Sequence, residues 1–139
     1  MLSAVLSARK EIIFAFDVGR KKTGIALGNS ISGIARPLAI VEGERAQQLA
    51  KITDYITQWQ PGTLVVGLPL HMDGSTHRMT DRARRYADAL QAQFSLPVEF
   101  ADERQSSQFA RQQGEGGAID DRAAAIILQD WLDQQKTEK

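Results

Sequence analysis

The sequence contains no cysteine. Disulfide bonds, a cysteine nucleophile and zinc sites with thiolate ligands are therefore excluded, and the absence is compatible with a reducing compartment. The sequence also lacks an apolar run long enough to span a membrane. Residues 1–11 do not have the order of a signal peptide, because their basic residues follow the apolar part. We therefore expect a cytoplasmic protein without a membrane partner, in which residues 1–11 form a loose leader.

Net charge is absent as well, since 17 Lys and Arg residues balance 17 Asp and Glu residues. This balance argues mildly against tight binding of nucleic acid, which usually contacts a basic domain. The distribution is uneven, however: residues 1–70 hold 8 basic and 5 acidic residues, and residues 71–139 hold 9 and 12. A site that gathers carboxylates around a metal ion would produce this asymmetry, and so would solvated helix faces. Charge alone leaves both interpretations open.

The length of 139 residues favours a single domain, residues 1–139. Short apolar runs at Ile12–Phe16, Gly24–Gly28 and Ile34–Val41 are separated by polar or glycine-containing turns. Runs of this length predict buried strands, and the short connections predict that neighbouring strands are antiparallel.

Helical and strand patterns then alternate along the chain. Strands that are separated by helices imply parallel crossover connections. We therefore predict an α/β fold with a mixed five-stranded sheet, in which three antiparallel strands are followed by parallel crossovers and helices cover both faces. The predicted later elements are a helix containing Leu49, Ile52, Ile56 and Trp59, the strand Leu64–Val66, a helix from Met79 to Phe94, the strand Pro97–Ala101, a short helix Ser106–Gln113 and a final helix containing Ala124, Ile127, Leu128, Trp131 and Leu132.

Acidic residues follow two of these strands and open the final helix. Asp17 follows Ile12–Phe16, and Glu103 comes shortly after Pro97–Ala101. Ligands of open sheets gather at the carboxyl ends of strands. Asp120 shares the apolar stripe of the final helix, where a carboxylate needs a partner such as a divalent cation. Mg²⁺ or Mn²⁺, as one or two ions, would suit oxygen ligands of this kind and could promote phosphodiester cleavage.

Each of these residues also has a simpler structural interpretation. Asp17 could end a strand and begin a turn, Asp102 or Glu103 could pair with Arg104, and Asp120 could cap a helix. His71 and His77 are spaced six residues apart on a loop, which favours surface or structural roles over a metal site. Residue types and spacing alone do not decide between these alternatives.

Several motifs occur together in one order along the chain. Phe16-Asp17-Val18-Gly19 with Lys21 and Gly24-Ile25-Ala26 resembles the opening motif of the YqgF (RuvX) family, whose members are described as Holliday junction resolvases and as pre-16S ribosomal RNA nucleases. The later matches, which extend the resemblance over about residues 12–133, are Gly33-Ile34-Ala35-Arg36-Pro37-Leu38, Val65-Val66-Gly67-Leu68-Pro69-Leu70, Met72-Asp73-Gly74-Ser75, Asp102-Glu103-Arg104 and Ile119-Asp120 with Ala123-Ala124 and Ile126-Ile127-Leu128.

The resemblance implies a ribonuclease H-like fold and a metal-dependent nuclease. It implies Asp17, Glu103 and Asp120 as the catalytic and metal-binding carboxylates, and Lys21 and Arg104 as residues that contact substrate phosphate. Some positions depart from the family pattern. His71 stands where asparagine is usual, Gln105-Ser106-Ser107 stands where Leu-Ser-Thr is usual, and Glu115-Gly116-Gly117-Ala118 replaces a segment that normally carries lysine.

The expected substrate is structured nucleic acid, recognised by shape and backbone because the sequence has no base-reading motif. A ribosomal RNA precursor is favoured, with processing of the 5′ end of pre-16S rRNA, and branched DNA in recombination is the alternative. A third interpretation keeps the fold as a non-catalytic assembly or binding factor. The sequence leaves open whether the protein is a monomer or a homodimer.

Overall fold

The computed structural model of the chain describes residues 9–103 and 121–137. The described elements, in chain order, are β1 (Arg9–Val18), β2 (Lys22–Asn29), β3 (Ile34–Glu42), α1 (Arg45–Trp59), β4 (Pro61–Leu68), α2 (Thr80–Phe94), β5 (Val98–Asp102) and α3 (Asp121–Thr137). This order agrees with the prediction for every element within the described ranges. The short helix predicted at Ser106–Gln113 lies outside them.

The five strands form one sheet in the order β3-β2-β1-β4-β5. β1 pairs with β2, and β2 with β3, in antiparallel orientation. β4 pairs in parallel with both β1 and β5. The predicted mixed sheet, with three antiparallel strands followed by parallel crossovers, is therefore confirmed.

Two apolar layers cover the two faces of the sheet. Alternate side chains of a strand point to opposite faces, and β1 follows this rule: Phe14 and Phe16 lie in one cluster, and Ile13 and Ala15 in the other. The first cluster packs against α1 and α2, and the second packs against α3 through residues such as Leu128. Helices therefore lie on both faces, as predicted.

Some boundaries differ from the sequence prediction. β1 begins at Arg9, so residues 9–11 belong to a strand, although residues 1–11 were expected to form a loose leader. The Arg9 N–H donates to the Gln60 carbonyl at 2.7 Å, and Arg9 pairs with Pro61 of β4. Parallel pairing with β4 thus extends the strand beyond its apolar run. Within the described residues, none of the helices has both the length and the apolar composition needed to cross a membrane.

Candidate metal centre

Asp17 and Glu103 lie at the same edge of the sheet. The register aligns Phe16 of β1 with Val66 of β4, and Val66 with Phe100 of β5, so these strands end side by side. Asp17 is next to last in β1, and Glu103 follows the last residue of β5. Only 2% of Asp17 and 3% of Glu103 is exposed. Two carboxylates are therefore buried at the carboxyl ends of parallel strands, as the sequence predicted.

Gly67 of β4 provides the space that Glu103 occupies. A Cβ atom built on Gly67 would lie 2.8 Å from Oε2 of Glu103 and 3.0 Å from Cδ1 of Ile127. Both distances are shorter than ordinary van der Waals contact, so a larger residue would force one of these neighbours to move. The carboxylate of Glu103 thus rests on the bare backbone of β4, beside α3. Gly67 directly follows the strand predicted at Leu64–Val66, and its contact with Glu103 was not predicted.

The electrostatic environment of Glu103 is unusual for a carboxylate. Burial, together with the negative charges of Asp17 and Asp102, raises the pKa of Glu103 to about 8. Burial disfavours the ionised form because a charge loses hydration, and nearby like charges add repulsion. A carboxyl group with such a pKa, in contact with other acidic groups at a strand end, is typical of a functional site.

A further carboxylate lies close by on α3. Asp130 lines a groove between β5 and α3 together with Asp102 and Glu103. The apolar and polar neighbours that complete the groove are Ala101, Ile127, Trp131 and Gln134. Asp130 was not predicted as a site residue: it lies between Leu128 and Trp131 of the predicted apolar stripe, and its proximity to Glu103 depends on how α3 packs.

Lys21 occupies the turn between β1 and β2, and its side chain is exposed. The turn is held at both ends by backbone hydrogen bonds: the Gly19 N–H donates to the Lys22 carbonyl, and the Gly43 N–H donates to the Lys21 carbonyl, each at 2.9 Å. Lys21 therefore lies on an ordered turn four residues after Asp17. Its contact with substrate phosphate stays a prediction.

Two of the predicted site residues, Arg104 and Asp120, lie outside the described residues. Asp120 directly precedes the first residue of α3 in the sequence. Within residues 9–103 and 121–137, no group of three His, Cys, Asp or Glu side chains is arranged to hold a metal ion. The described part of the centre is thus the pair Asp17 and Glu103, and the predicted third ligand is not among these residues.

The pair fits a hard divalent cation. Carboxylate oxygens are the ligands that Mg²⁺ and Mn²⁺ prefer. A cation would also offset the repulsion between Asp17 and Glu103 that raises the pKa of Glu103. Gly67 keeps the space between the strand ends open for the Glu103 carboxylate. The chemistry and the packing of the described residues are therefore both compatible with a cation.

Comparison with known families identifies the group to which the chain belongs. The profile of the family RuvX, described as Holliday junction resolvase, matches residues 11–134. The chain belongs to the RuvX family. The family predicted from the motifs is therefore confirmed, and the match covers both strands that carry the acidic pair.

Curated relatives of this RuvX protein agree over nearly their whole length. A protein of Paraburkholderia xenovorans named "Putative pre-16S rRNA nuclease" is 41% identical over 136 residues, which cover 94% of this chain and 93% of the relative. A protein of Burkholderia mallei with the same name is 44% identical over 138 residues, which cover 95% and 94%. The nuclease class predicted from the motifs is thereby confirmed.

Solved structures support the fold. RuvC of Thermus thermophilus superposes with a TM-score of 0.53 at 13% identity, covering 91% of this chain and 96% of RuvC. RuvC of T. thermophilus in complex with a Holliday junction substrate gives 0.57 at 12% identity, covering 90% and 95%. At such identities the likeness concerns the fold alone, and it confirms the predicted ribonuclease H-like architecture.

Proposed function

We propose that this protein is a metal-dependent nuclease that hydrolyses phosphodiester bonds in structured RNA, with the 5′ end of pre-16S rRNA as its substrate. In this proposal Asp17, Glu103 and Asp120 hold one or two Mg²⁺ or Mn²⁺ ions. Lys21 and Arg104 contact phosphates of the substrate. The naming of the curated relatives favours ribosomal RNA over other substrates.

The observation that carries the proposal is the burial of Asp17 and Glu103 together at the carboxyl edge of the sheet. Two buried like charges destabilise a fold, so their presence indicates a functional role. The pair also lies where open sheets bind ligands. A purely structural role would not explain why Gly67 leaves room for the Glu103 carboxylate between β4 and α3.

The chain itself would contribute positioning and charge. Asp17 is fixed by β1, which is paired on both sides, and Glu103 is held against the backbone of β4. When bound, a divalent cation would supply activation of a water molecule and stabilisation of the leaving oxygen. Lys21 on its ordered turn would place a positive charge near the scissile phosphate.

The test is a cleavage assay on an RNA containing the 5′ end of 16S rRNA with its precursor extension, with Mg²⁺ or Mn²⁺. Asp17→Asn and Asp120→Asn are each expected to lower the cleavage rate roughly 100-fold or more, because the carboxylate charge is lost at constant side-chain size. Asp54→Asn is the matched control, since Asp54 is an exposed aspartate on α1. Its rate should equal that of the unmodified protein.

Equal cleavage by Asp17→Asn and the unmodified protein would refute the proposed site. If the unmodified protein binds the RNA but does not cleave it with either metal, the non-catalytic binding factor becomes the better interpretation. A complementation assay separates these cases further: a binding factor would still support growth when Asp17 is replaced, whereas a nuclease would not.

A second candidate function is cleavage of branched DNA. The description of the matching family as Holliday junction resolvase favours it. A four-way DNA junction should therefore be assayed beside the RNA under the same conditions. Symmetric cleavage of two strands would require two active sites, so the oligomeric state should be measured at the same time. Whether the protein is a monomer or a homodimer, and its cytoplasmic location, stay predictions.

A further inference from the structure

The two histidines of the chain lie close together, although the sequence favoured separate surface or structural roles. The ring centroids of His71 and His77 are 5.2 Å apart, and their planes are inclined by 50°. His71 is exposed, and His77 is half-buried. Both belong to the loop between β4 and α2, which leaves the same sheet edge as the acidic pair.

The loop is a tightly closed structure. His71 donates its N–H to the Ser75 carbonyl at 3.0 Å, and the Gly74 N–H donates to the His71 carbonyl at 2.8 Å. The Asp73 carboxylate accepts from the N–H and the hydroxyl of Ser75, at 2.9 and 2.6 Å. The carboxylate of Asp73 is thus engaged in holding the turn, although it also interacts electrostatically with His71.

The second half of the loop is anchored to the start of α2. The His77 N–H donates to Oγ1 of Thr80 at 2.7 Å, and the Thr80 hydroxyl donates to the Pro69 carbonyl. Thr80 itself is fully buried. The two imidazoles are therefore presented on a rigid frame, although most of the loop is exposed and covers little of the core. A preorganised exposed loop of this kind is typical of a binding element.

The hydrogen bonds of His77 fix which of its ring nitrogens carries the proton. The Met79 N–H donates to Nδ1 of His77 at 3.1 Å, so the neutral ring must carry its proton on Nε2. Burial lowers the pKa of His77, and the positive charges of His71 and Arg78 lower it further. His77 is thus a neutral donor at physiological pH.

We propose that His71 and His77 bind a backbone phosphodiester of the nucleic-acid substrate at the sheet edge that carries the acidic pair, with His77 donating from Nε2 and the exposed His71 ring making a second contact. An anion bound to His77 would also be attracted by Arg78, whose positive charge acts on His77. This inference rests on the proposed function in one respect: the ligand is the nucleic acid on which the proposed nuclease acts. It assigns this loop a direct contact with the ligand.

The binding test uses Glu103→Gln as the background, because this change removes the titration of Glu103 from the measured pH range. Binding of a labelled RNA hairpin is followed by fluorescence anisotropy at about pH 6 and about pH 8, on either side of the usual histidine range. Adding His77→Asn should weaken binding roughly fivefold to tenfold at both pH values, because a neutral donor is lost. Asparagine can still accept the Met79 N–H, so the loop should keep its fold.

Adding His71→Asn should also weaken binding to a similar degree, because the ring that lies 5.2 Å from His77 is lost. Lys51→Gln is the matched control, because Lys51 is an exposed cation on α1. Binding within twofold of the background for both histidine variants, at both pH values, would overturn the proposal. So would a Lys51→Gln variant that weakens binding as much as they do.

Imidazole ¹⁵N NMR of the unmodified protein provides a measurement that does not depend on cleavage. His77 should show the Nε2–H tautomer, and dimethyl phosphate should shift the signals of both rings. Signals that respond to inorganic phosphate but not to dimethyl phosphate would contradict recognition of a backbone diester. If the histidine variants weaken binding but no RNA or DNA is cleaved, the phosphate contact stands and the proposed nuclease function fails.

Discussion

Both faces of the sheet bury polar side chains, but the surroundings of these side chains differ between the two faces. On the face covered by α1 and α2, the hydroxyls of Thr23 and Tyr86 donate to Oε1 of Gln48, at 2.8 and 2.7 Å. Gln48 in turn donates to the Gly43 carbonyl at 3.0 Å. On the face covered by α3, Asp17 and Glu103 are equally buried but carry like charges.

The comparison distinguishes buried polar groups that stabilise the fold from buried polar groups that serve a function. In the first network each donor meets an acceptor, so the polar atoms stabilise the packing of α1 and α2 on β2. In the acidic pair the two groups raise each other's energy, and a proton or a cation would relieve the repulsion. Changes in the network should therefore lower stability without altering chemistry, whereas changes in the pair should abolish the chemistry and raise stability at high pH.

The largest expected effect concerns the pH dependence of stability without metal. Glu103 has a pKa of about 8 in the folded protein and an ordinary value of 4.5. The unfolded chain therefore loses its proton first as pH rises from 4.5 to 8, and the free energy of unfolding should fall across this range. The expected decrease is on the order of 5 kcal/mol. Denaturant unfolding in a chelator, repeated over this pH range, measures it.

Glu103→Gln should remove most of this pH dependence and stabilise the protein at about pH 8, while abolishing metal-dependent cleavage. Glu99→Gln is the control, because Glu99 is an exposed glutamate on β5, the strand that directly precedes Glu103. It should keep the slope of the unmodified protein. A Glu103→Gln variant that is no more stable than the unmodified protein at high pH would show that charge repulsion in the acidic pair does not destabilise the fold.

The sequence predicted those features of the site that follow from local patterns in the chain. Asp17 and Glu103 were placed together because apolar runs mark strands, and because the carboxyl ends of parallel strands meet at one edge. Both inferences use local patterns. The position of Lys21 on the β1–β2 turn was predicted for the same reason.

Features that depend on register between distant strands were not predicted. The strand predicted as Leu64–Val66 is β4, Pro61–Leu68, because Gly62 allows close approach of the Arg9–Lys10 backbone. A Cβ on Gly62 would lie 2.9 Å from the Arg9 carbonyl oxygen. The contact of Gly67 with Glu103 and the pairing of His71 with His77 likewise arise only after the chain has folded.

The second prediction concerns Gly67 and distinguishes the placement of Glu103 from the packing of α3. Gly67→Ala adds a methyl group that would lie 2.8 Å from Oε2 of Glu103. The Glu103 carboxylate must then shift from its present position, so cleavage should fall roughly tenfold to 100-fold, since misplacement by about 1 Å can have this effect. Mn²⁺ affinity, measured by calorimetry or by the EPR signal of free Mn²⁺, should fall in parallel.

Gly28→Ala is the matched control for Gly67→Ala. Its Cβ would lie 2.7 Å from Cδ2 of Leu128, so it also crowds the interface between the sheet and α3, but away from the acidic residues. Both variants should lose about 1–3 kcal/mol of stability through overpacking. Only Gly67→Ala should lose Mn²⁺ affinity. An equal loss in both would mean that α3 packing, rather than the placement of Glu103, controls the site.

The smallest effect is expected on the opposite face. Tyr86→Phe removes one hydrogen bond to Gln48, whose Oε1 still accepts from Thr23. The free energy of unfolding should fall by only about 1 kcal/mol, with the cleavage rate and Mn²⁺ affinity unchanged. Gln48→Leu removes the acceptor of two buried hydroxyls and should therefore destabilise the protein more than Tyr86→Phe does, while leaving Mn²⁺ affinity unchanged. If Tyr86→Phe changes Mn²⁺ affinity, the two faces are coupled through the sheet. The Gln48 network then affects the site as well as the stability of the fold.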